Sequence, residues 1–107
     1  PIIIMIALLK SLFKQEPEVD FKNLVKNGAI ILDVRTVAEY QSGHISSSIN
    51  IPVQELDRHL SKLKKKSTII TCCASGIRSG SAVNILKSAG YTDVYNGGSW
   101  SSLQDKL

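Results

Sequence analysis

Hydrophobic and polar positions along the chain follow two patterns, and the alternation between them predicts the order of the elements. Continuous apolar runs at residues 29–34 and 68–72 are typical of strands that are buried on both faces of a sheet. Two shorter strands are predicted at 48–51 and 94–95, the first ended by Pro52. Each of these segments is followed by a stretch with helical or turn character.

The segments between the strands carry apolar residues at helical spacing. Helices are predicted at residues 21–26 (with Asp20 as the cap), 37–41, 53–63, 79–88 and 99–107, with a turn at Gly97-Gly98. Alternating strands and helices predict an α/β fold with a small, mainly parallel central sheet of about five strands, flanked by helices on both faces. Ligands of such sheets bind beyond the carboxyl ends of the strands.

The N-terminal segment, residues 1–17, is hydrophobic and amphipathic, and we place the domain boundary after it, with one domain at 18–107. Its apolar run, residues 2–9, is too short for a spanning helix, which needs about 20 residues. Helical spacing favours a helix that packs on its own domain or on a twin chain. An anchor on anionic lipid through residues 1–14 and the remnant of a leader are the alternatives.

Composition narrows the function classes. A chain of 107 residues, 43% of them hydrophobic and 21% charged, is typical of one globular domain and excludes intrinsic disorder. The net charge of +4 suits a small anionic ligand, but it is too dispersed to predict binding of nucleic acid. The two cysteines, Cys72 and Cys73, are adjacent, a spacing that disfavours a disulfide and matches no zinc motif. We therefore expect no metal cofactor.

The candidate chemistry lies where the second buried strand gives way to a helix. Cys73 opens a segment of small residues that includes Gly76, so the chain can curl and aim successive backbone N–H groups inward. The helix that follows adds its positive N-terminal end, and both effects favour a thiolate. We predict a nucleophilic Cys73 within a binding loop. The loop residues are Ala74, Ser75, Gly76, Ile77, Arg78 and Ser79. Arg78 is expected to supply a fixed charge and fork-like donors to an oxyanion or to the loop carbonyls.

This segment resembles the active-site loop of the rhodanese family, the sulfurtransferases, in its Cys-x-x-Gly-x-Arg-Ser order. Two further stretches are similar to motifs of that family and occur in the same order along the chain. They are Asp33-Val34-Arg35, Glu39-Tyr40, Gly43-His44-Ile45 and Asn50-Ile51-Pro52 ahead of the loop, and Asn96-Gly97-Gly98 near the end. The resemblance covers nearly all of the chain from Val19 onward.

The resemblance implies a two-step sulfur transfer through Cys73. Its thiolate would take the outer sulfur of thiosulfate, a persulfide or a polysulfide, and the resulting persulfide would pass that sulfur to cyanide, a thiol or thioredoxin. Partners would thus be small sulfur-containing anions or persulfides and a thiol acceptor. We expect a cytoplasmic protein, with a periplasmic or membrane-associated one as the alternative.

Several neighbouring residues receive weaker assignments. Asp33 and Arg35 are interpreted as a structural ion pair, with orientation of the loop by Asp33 and steering of an anionic donor by Arg35 as the functional alternatives. His44 is expected to hydrogen-bond the backbone, and Cys72 to be buried and inert, since its side chain should face away from that of Cys73. Ala74 stands where many family members carry a basic or bulky residue, which predicts a less cationic pocket.

Two other classes of function remain open from the sequence. A phosphatase or arsenate reductase of related fold would place the arginine six positions after the cysteine, whereas Arg78 follows Cys73 by five. A non-catalytic binding or sulfur-carrier module of the same fold is the other alternative, and binding modules of that kind usually lack the cysteine. The sequence therefore favours the sulfurtransferase.

Overall fold

The computed structural model describes residues 18–107. The predicted N-terminal segment, residues 1–17, lies outside the described residues, so its helix and its docking or anchoring role stay predictions.

A parallel sheet forms the centre of the described chain. Its strands are β1 (Ile30–Asp33), β2 (Ile49–Asn50), β3 (Ile69–Cys73) and β4 (Val94–Ser99), in the spatial order β2-β1-β3-β4. The α/β prediction is confirmed, but within residues 18–107 the sheet has four strands, not about five. The remaining segments are helices, turns and loops, which leaves no segment there to pair as a fifth strand.

Four α-helices and two 3-10 helices connect and cover the strands. They are α1 (Phe21–Lys26), α2 (Val37–Ser42), α3 (Ile77–Ser88), α4 (Trp100–Asp105) and the 3-10 helices Val53–Arg58 and Leu60–Lys62. The prediction of a single helix at 53–63 is wrong. The segment forms two 3-10 helices, whose i to i+3 hydrogen bonds include the one from His59 N–H to the carbonyl of Leu56. Over six residues, the two helical periods place apolar side chains too similarly to be distinguished by pattern.

Side-chain caps explain where the short helices begin. Asp20 accepts a hydrogen bond from the backbone N–H of Asn23 at 3.1 Å, as the sequence predicts for the start of α1. At α2, Thr36 and Glu39 form a reciprocal capping box. The capping box fixes the start of α2, which directly follows β1 at the edge of the sheet where a ligand is expected.

The predicted turn at Gly97-Gly98 lies inside β4 instead. The pairing of β3 with β4 shifts register between Thr71 and Cys73, and Cys73 pairs with Ser99. A Cβ atom on Gly97 would fall 2.8 Å from the carbonyl oxygen of Thr71, so only glycine allows the strands to approach this closely. The irregularity keeps β4 beside the end of β3, where the predicted nucleophile lies.

The two faces of the sheet carry separate apolar clusters. One contains Leu32, Ile69, Cys73, Ala82 and Leu86 beneath α3, and the other contains Phe21, Ile31, Ile70, Cys72 and Leu103 beneath α1 and α4. Alternation along β3 sends successive side chains to opposite faces. Among residues 18–107, no helix combines the length and the apolar character that crossing a membrane requires.

Candidate active site

The thiol of Cys73 ends β3 and lies at the entrance of α3. Its Sγ atom accepts hydrogen bonds from the backbone N–H groups of Gly76, at 3.0 Å, and Ser79, at 3.3 Å. Gly76 adopts a left-handed conformation with φ of +101°, which turns the chain tightly enough to aim these amides at the sulfur. The side chain is fully buried, yet it is buried against N–H donors as well as apolar groups.

The surroundings of Cys73 determine how readily it ionises. Burial acts to raise the pKa of Cys73, but the hydroxyl of Ser79 and the amides of Ser79, Gly76 and Ser75 act together to lower it, and their combined effect is the larger. The N-terminal end of α3, a helix of 12 residues, adds a positive electrostatic potential at the same place. The site therefore favours the thiolate, which is the nucleophilic form.

The predicted loop divides into two parts. Ala74, Ser75 and Gly76 connect β3 to α3, whereas Ile77, Arg78 and Ser79 already form the first turn of the helix, two residues earlier than the predicted start. Ala74 and Ser75 are exposed, and Ile77 is 78% exposed at the rim. These three exposed side chains carry no charge, while Ser79 lies buried beside the sulfur.

Arg78 is held by a carboxylate of another helix. Its two terminal nitrogens donate to the two carboxylate oxygens of Glu39 at 2.7 and 2.9 Å, which ties the first turn of α3 to α2. The hydrogen bond from Arg78 lowers the pKa of Glu39 to about 2. The sequence interpretation named Glu39 only as part of a motif, and it expected Arg78 to donate to an oxyanion or to the loop carbonyls. Its partner lies 39 residues away, so no local pattern could have shown the contact.

Asp33 and Arg35 form the predicted ion pair, and they form it with each other. The guanidinium of Arg35 donates to both carboxylate oxygens of Asp33 at 2.7 to 3.0 Å, and both side chains are almost fully buried. It also donates to the carbonyls of Glu39 and Gly43 and lies 4.8 Å from the ring of Trp100. These contacts hold both side chains in structural roles, so the geometry supports neither the steering of a donor by Arg35 nor orientation of the loop by Asp33.

Asn96 is a residue of the site that the sequence interpretation did not assign. Its amide nitrogen donates to the carbonyl of Gly76 at 3.1 Å, and its amide oxygen accepts from Gly98 N–H at 2.9 Å and from the Ser79 hydroxyl at 2.6 Å. It therefore connects β4 to both the turn and the first helical turn around Cys73. In the sequence, the only indication of this role is that Asn96 directly precedes the glycine pair Gly97-Gly98.

His44 and Cys72 lie as expected. The Nδ1 atom of His44 is 2.7 Å from the carbonyl oxygen of Tyr40, and its ring stacks on the ring of Tyr40. Cys72 faces the other cluster, where burial, followed by the nearby charge of Asp33, raises the pKa of its thiol to about 12. Neither residue contacts the Cys73 sulfur through a hydrogen bond.

Comparison with known families gives one match that covers nearly the whole described chain. A family model described as the rhodanese-like domain matches residues 18–106. The matched range contains Cys73, its amide donors, Glu39 and Asn96.

Individual relatives are consistent with that match. The chain is 38% identical over 69 residues to the thiosulfate sulfurtransferase PspE of Escherichia coli, covering 63% of this chain and 66% of that protein, just under two thirds of its length. It is 30% identical over 84 residues to the thiosulfate sulfurtransferase GlpE of Pseudomonas savastanoi, covering 78% and 79%. Among solved structures, the human single domain sulfurtransferase TSTD1 is similar, with a TM-score of 0.75, 28% identity and coverage of 87% and 99%.

Proposed function

The chain belongs to the rhodanese-like domain family, and from that membership we propose that it is a sulfurtransferase that carries a sulfane sulfur on Cys73. The observation that carries the proposal is the pair of amides, those of Gly76 and Ser79, that donate to the Cys73 sulfur at 3.0 and 3.3 Å. Such donors stabilise an anionic sulfur without a metal or a second base. PspE and GlpE are named as thiosulfate sulfurtransferases, which supports the same class of donor here.

The first step loads the sulfur. The Cys73 thiolate attacks the outer sulfur of thiosulfate, the bond between the two sulfur atoms of thiosulfate breaks, and sulfite leaves with the bonding electron pair. The product is a Cys73 persulfide anion, so the total charge is unchanged. With a persulfide donor the leaving group is a thiolate. We expect the amides that hold the thiolate to receive the terminal sulfur in its turn.

The second step returns the enzyme to its starting state. A thiophilic acceptor, such as cyanide or a thiolate, attacks the terminal sulfur, and the electron pair of the broken bond returns to Cys73. Cyanide leaves as thiocyanate, and a thiolate leaves as a new persulfide. No oxidant or reductant is consumed in either case, which makes this a double-displacement reaction.

The pairing of Arg78 with Glu39 weighs against the phosphatase alternative. A phosphate-binding loop uses an arginine fork to hold the oxyanion, but both terminal nitrogens of Arg78 already donate to Glu39. We expect no useful hydrolysis of p-nitrophenyl phosphate, and turnover at rates typical of phosphatases would overturn this assignment.

Intact mass spectrometry tests the proposal directly. After incubation with thiosulfate or glutathione persulfide, we expect a gain of one sulfur atom that peptide mapping places on Cys73 and that cyanide removes. The matched control is Cys72→Ala, which should load as the parent does. Absence of the gain with both donors, or its location on Cys72, would refute the proposal.

A further inference from the structure

The orientation of the Asn96 amide is determined by its neighbours. On one side it faces the carbonyl oxygen of Gly76, which can only accept, and on the other it faces the backbone N–H of Gly98, which can only donate. The nitrogen must therefore point to Gly76 and the oxygen to Gly98. A flipped amide would place its oxygen against the carbonyl oxygen of Gly76 and its nitrogen against the N–H of Gly98, so acceptor would face acceptor and donor would face donor.

This orientation also determines the direction of the hydrogen bond to Ser79. The amide oxygen of Asn96 has no hydrogen to give, so the 2.6 Å contact must use the single hydrogen of the Ser79 hydroxyl. The hydroxyl oxygen lies 3.4 Å from the Cys73 sulfur and has only lone pairs left to offer it. This orientation matches a protonated Cys73, whose S–H can donate to Ser79. The hydroxyl can stabilise a thiolate only after it turns toward the sulfur.

We propose that Asn96 is a positioning residue that competes with the Cys73 sulfur for the single hydroxyl hydrogen of Ser79. With the thiol, the chain of donors runs from the sulfur to the Ser79 oxygen and from the Ser79 hydroxyl to Asn96. When Cys73 ionises, its proton goes to water, the hydroxyl turns toward the sulfur, and the Asn96 oxygen keeps its bond from Gly98. The inference rests on the proposed function only in taking Cys73 as the nucleophile.

The donors around the Cys73 sulfur differ in whether they can move. The amides of Gly76 and Ser79 are fixed by the backbone and point at the sulfur in either state. The hydroxyl is the one adjustable donor among the contacts that the structure gives to the sulfur, because it rotates about a single bond. Asn96 therefore opposes ionisation of Cys73, and the strength of its hold on Ser79 sets how much the hydroxyl contributes.

The charged groups near Asn96, Ser79 and Cys73 are paired with one another. Asn96 hydrogen-bonds to Gly76, Ser79 and Gly98, none of which has a titratable side chain. The charges and the further thiol near Cys73 belong to the Arg78–Glu39 pair, to the Asp33–Arg35 pair, and to Cys72 on the opposite face. Because each charge is paired, the competition for the hydroxyl hydrogen is the local event that ionisation of Cys73 should change.

A pH titration of the unmodified protein tests the competition by nuclear magnetic resonance. We expect the side-chain amide of Asn96 and the backbone amide of Gly98 to shift with a midpoint equal to that of Cys73, measured separately by the pH dependence of its alkylation with iodoacetamide. Cys73→Ala should remove the shift. In Ser79→Ala it should shrink to less than half, whereas an undiminished shift would show a field effect of the thiolate and overturn the proposal. A parent protein without any shift would overturn it as well.

A double-mutant cycle gives a second, independent test. Asn96→Asp keeps the acceptor for Ser79 and makes it stronger, so alkylation of Cys73 at neutral pH should slow about tenfold, equivalent to one unit of pKa. In a Ser79→Ala background the same substitution should slow it less than threefold. Equal slowing in both backgrounds would mean that the added charge acts directly, which refutes the role of Ser79. Sulfur loading is not read in either test, so failure of the proposed function would be seen separately.

Discussion

Cys72 and Cys73 are neighbours in the chain and are both fully buried, yet the structure places them in opposite chemical environments. Cys72 faces the apolar cluster beneath α1 and α4, and burial raises the pKa of its thiol to about 12. Cys73 faces the entrance of α3, where the Ser79 hydroxyl and the backbone amides together outweigh burial and lower its pKa. Burial alone therefore does not decide reactivity, and what decides it is whether the buried sulfur is met by N–H groups.

The alternation of side chains along β3 produces this difference between two adjacent residues. Successive side chains of a strand point to opposite faces, so one residue step moves a thiol from an inert core to the end of the sheet where α3 begins. The backbone donors at that end come from the left-handed turn at Gly76 and the first turn of α3. The following predictions break or sharpen the comparison, from the largest expected effect to the smallest.

Removal of each thiol in turn should separate the two environments most clearly. Cys73→Ala should reduce thiosulfate-dependent formation of thiocyanate by at least about 10³-fold, because the nucleophile is gone. Cys72→Ala should retain turnover within about threefold, since that thiol has no part in the transfer. Steady-state rates of both variants, with circular dichroism to show that each is folded, provide the measurement. Comparable losses in the two variants would contradict the assignment of distinct roles.

Removal of the anion next to Cys72 should have the next largest effect, and it should be on stability. Asp33→Asn leaves the buried guanidinium of Arg35 without its carboxylate, which should lower the free energy of unfolding by about 3 to 5 kcal/mol. Urea denaturation measures the change. Glu55→Gln, which affects the exposed Arg58–Glu55 pair, is the control and should change it by less than about 0.5 kcal/mol. Similar losses in both variants would argue against a structural role of the buried pair.

The pH dependence of alkylation should distinguish the two thiols in one protein. Because the pKa of Cys73 is lowered, its thiolate fraction should rise with pH, with a midpoint at a lower pH than that of an ordinary thiol. Cys72, with a pKa of about 12, should remain unreacted through pH 9 while the protein is folded. At pH 7.5 we expect iodoacetamide to label Cys73 at least tenfold faster, measured by peptide mapping after timed quenching. Labelling of both thiols at one rate would contradict the comparison.

The parts of the fold that depend on local pattern could be predicted from the sequence. The apolar run at β3, the cap Asp20 and the small residues after Cys73 each carry their own signal, and the structure contains all three. The opposite faces of Cys72 and Cys73 follow from strand alternation alone. These features need only neighbours within a few residues to form.

The contacts that complete the site could not be predicted in this way. Glu39 reaches Arg78 across 39 residues, and Asn96 reaches Ser79 across 17, so only the assembled sheet brings these side chains together. The same applies to Gly97, which appeared as a turn residue until its close approach to the carbonyl of Thr71 showed why it lies in a strand. Positions such as these depend on tertiary packing, for which a single sequence holds no direct signal.

The charge near Cys73 gives the smallest expected effect and the finest test of the comparison. Glu39→Gln removes the negative partner of Arg78, while glutamine can still complete the capping box with Thr36, so α2 should remain in place. The released guanidinium would lie near the site and could attract a doubly charged donor. We expect the second-order rate of loading from thiosulfate to rise about two- to fivefold, and loading from a persulfide donor, whose reacting end carries at most one negative charge, to change by less.

The two donors give this last prediction its control. A rise with thiosulfate alone would show that Glu39 masks a positive charge that the site would otherwise present to anions. An equal fall with both donors would show instead that the Arg78–Glu39 pair holds the first turn of α3, with its amides, in position around the sulfur. Rapid-quench mass spectrometry of the Cys73 persulfide distinguishes these results, because it measures the loading step without the acceptor. If only thiosulfate loads faster, the amides account for the ionised state of Cys73, and the Arg78–Glu39 pair accounts for the choice of donor.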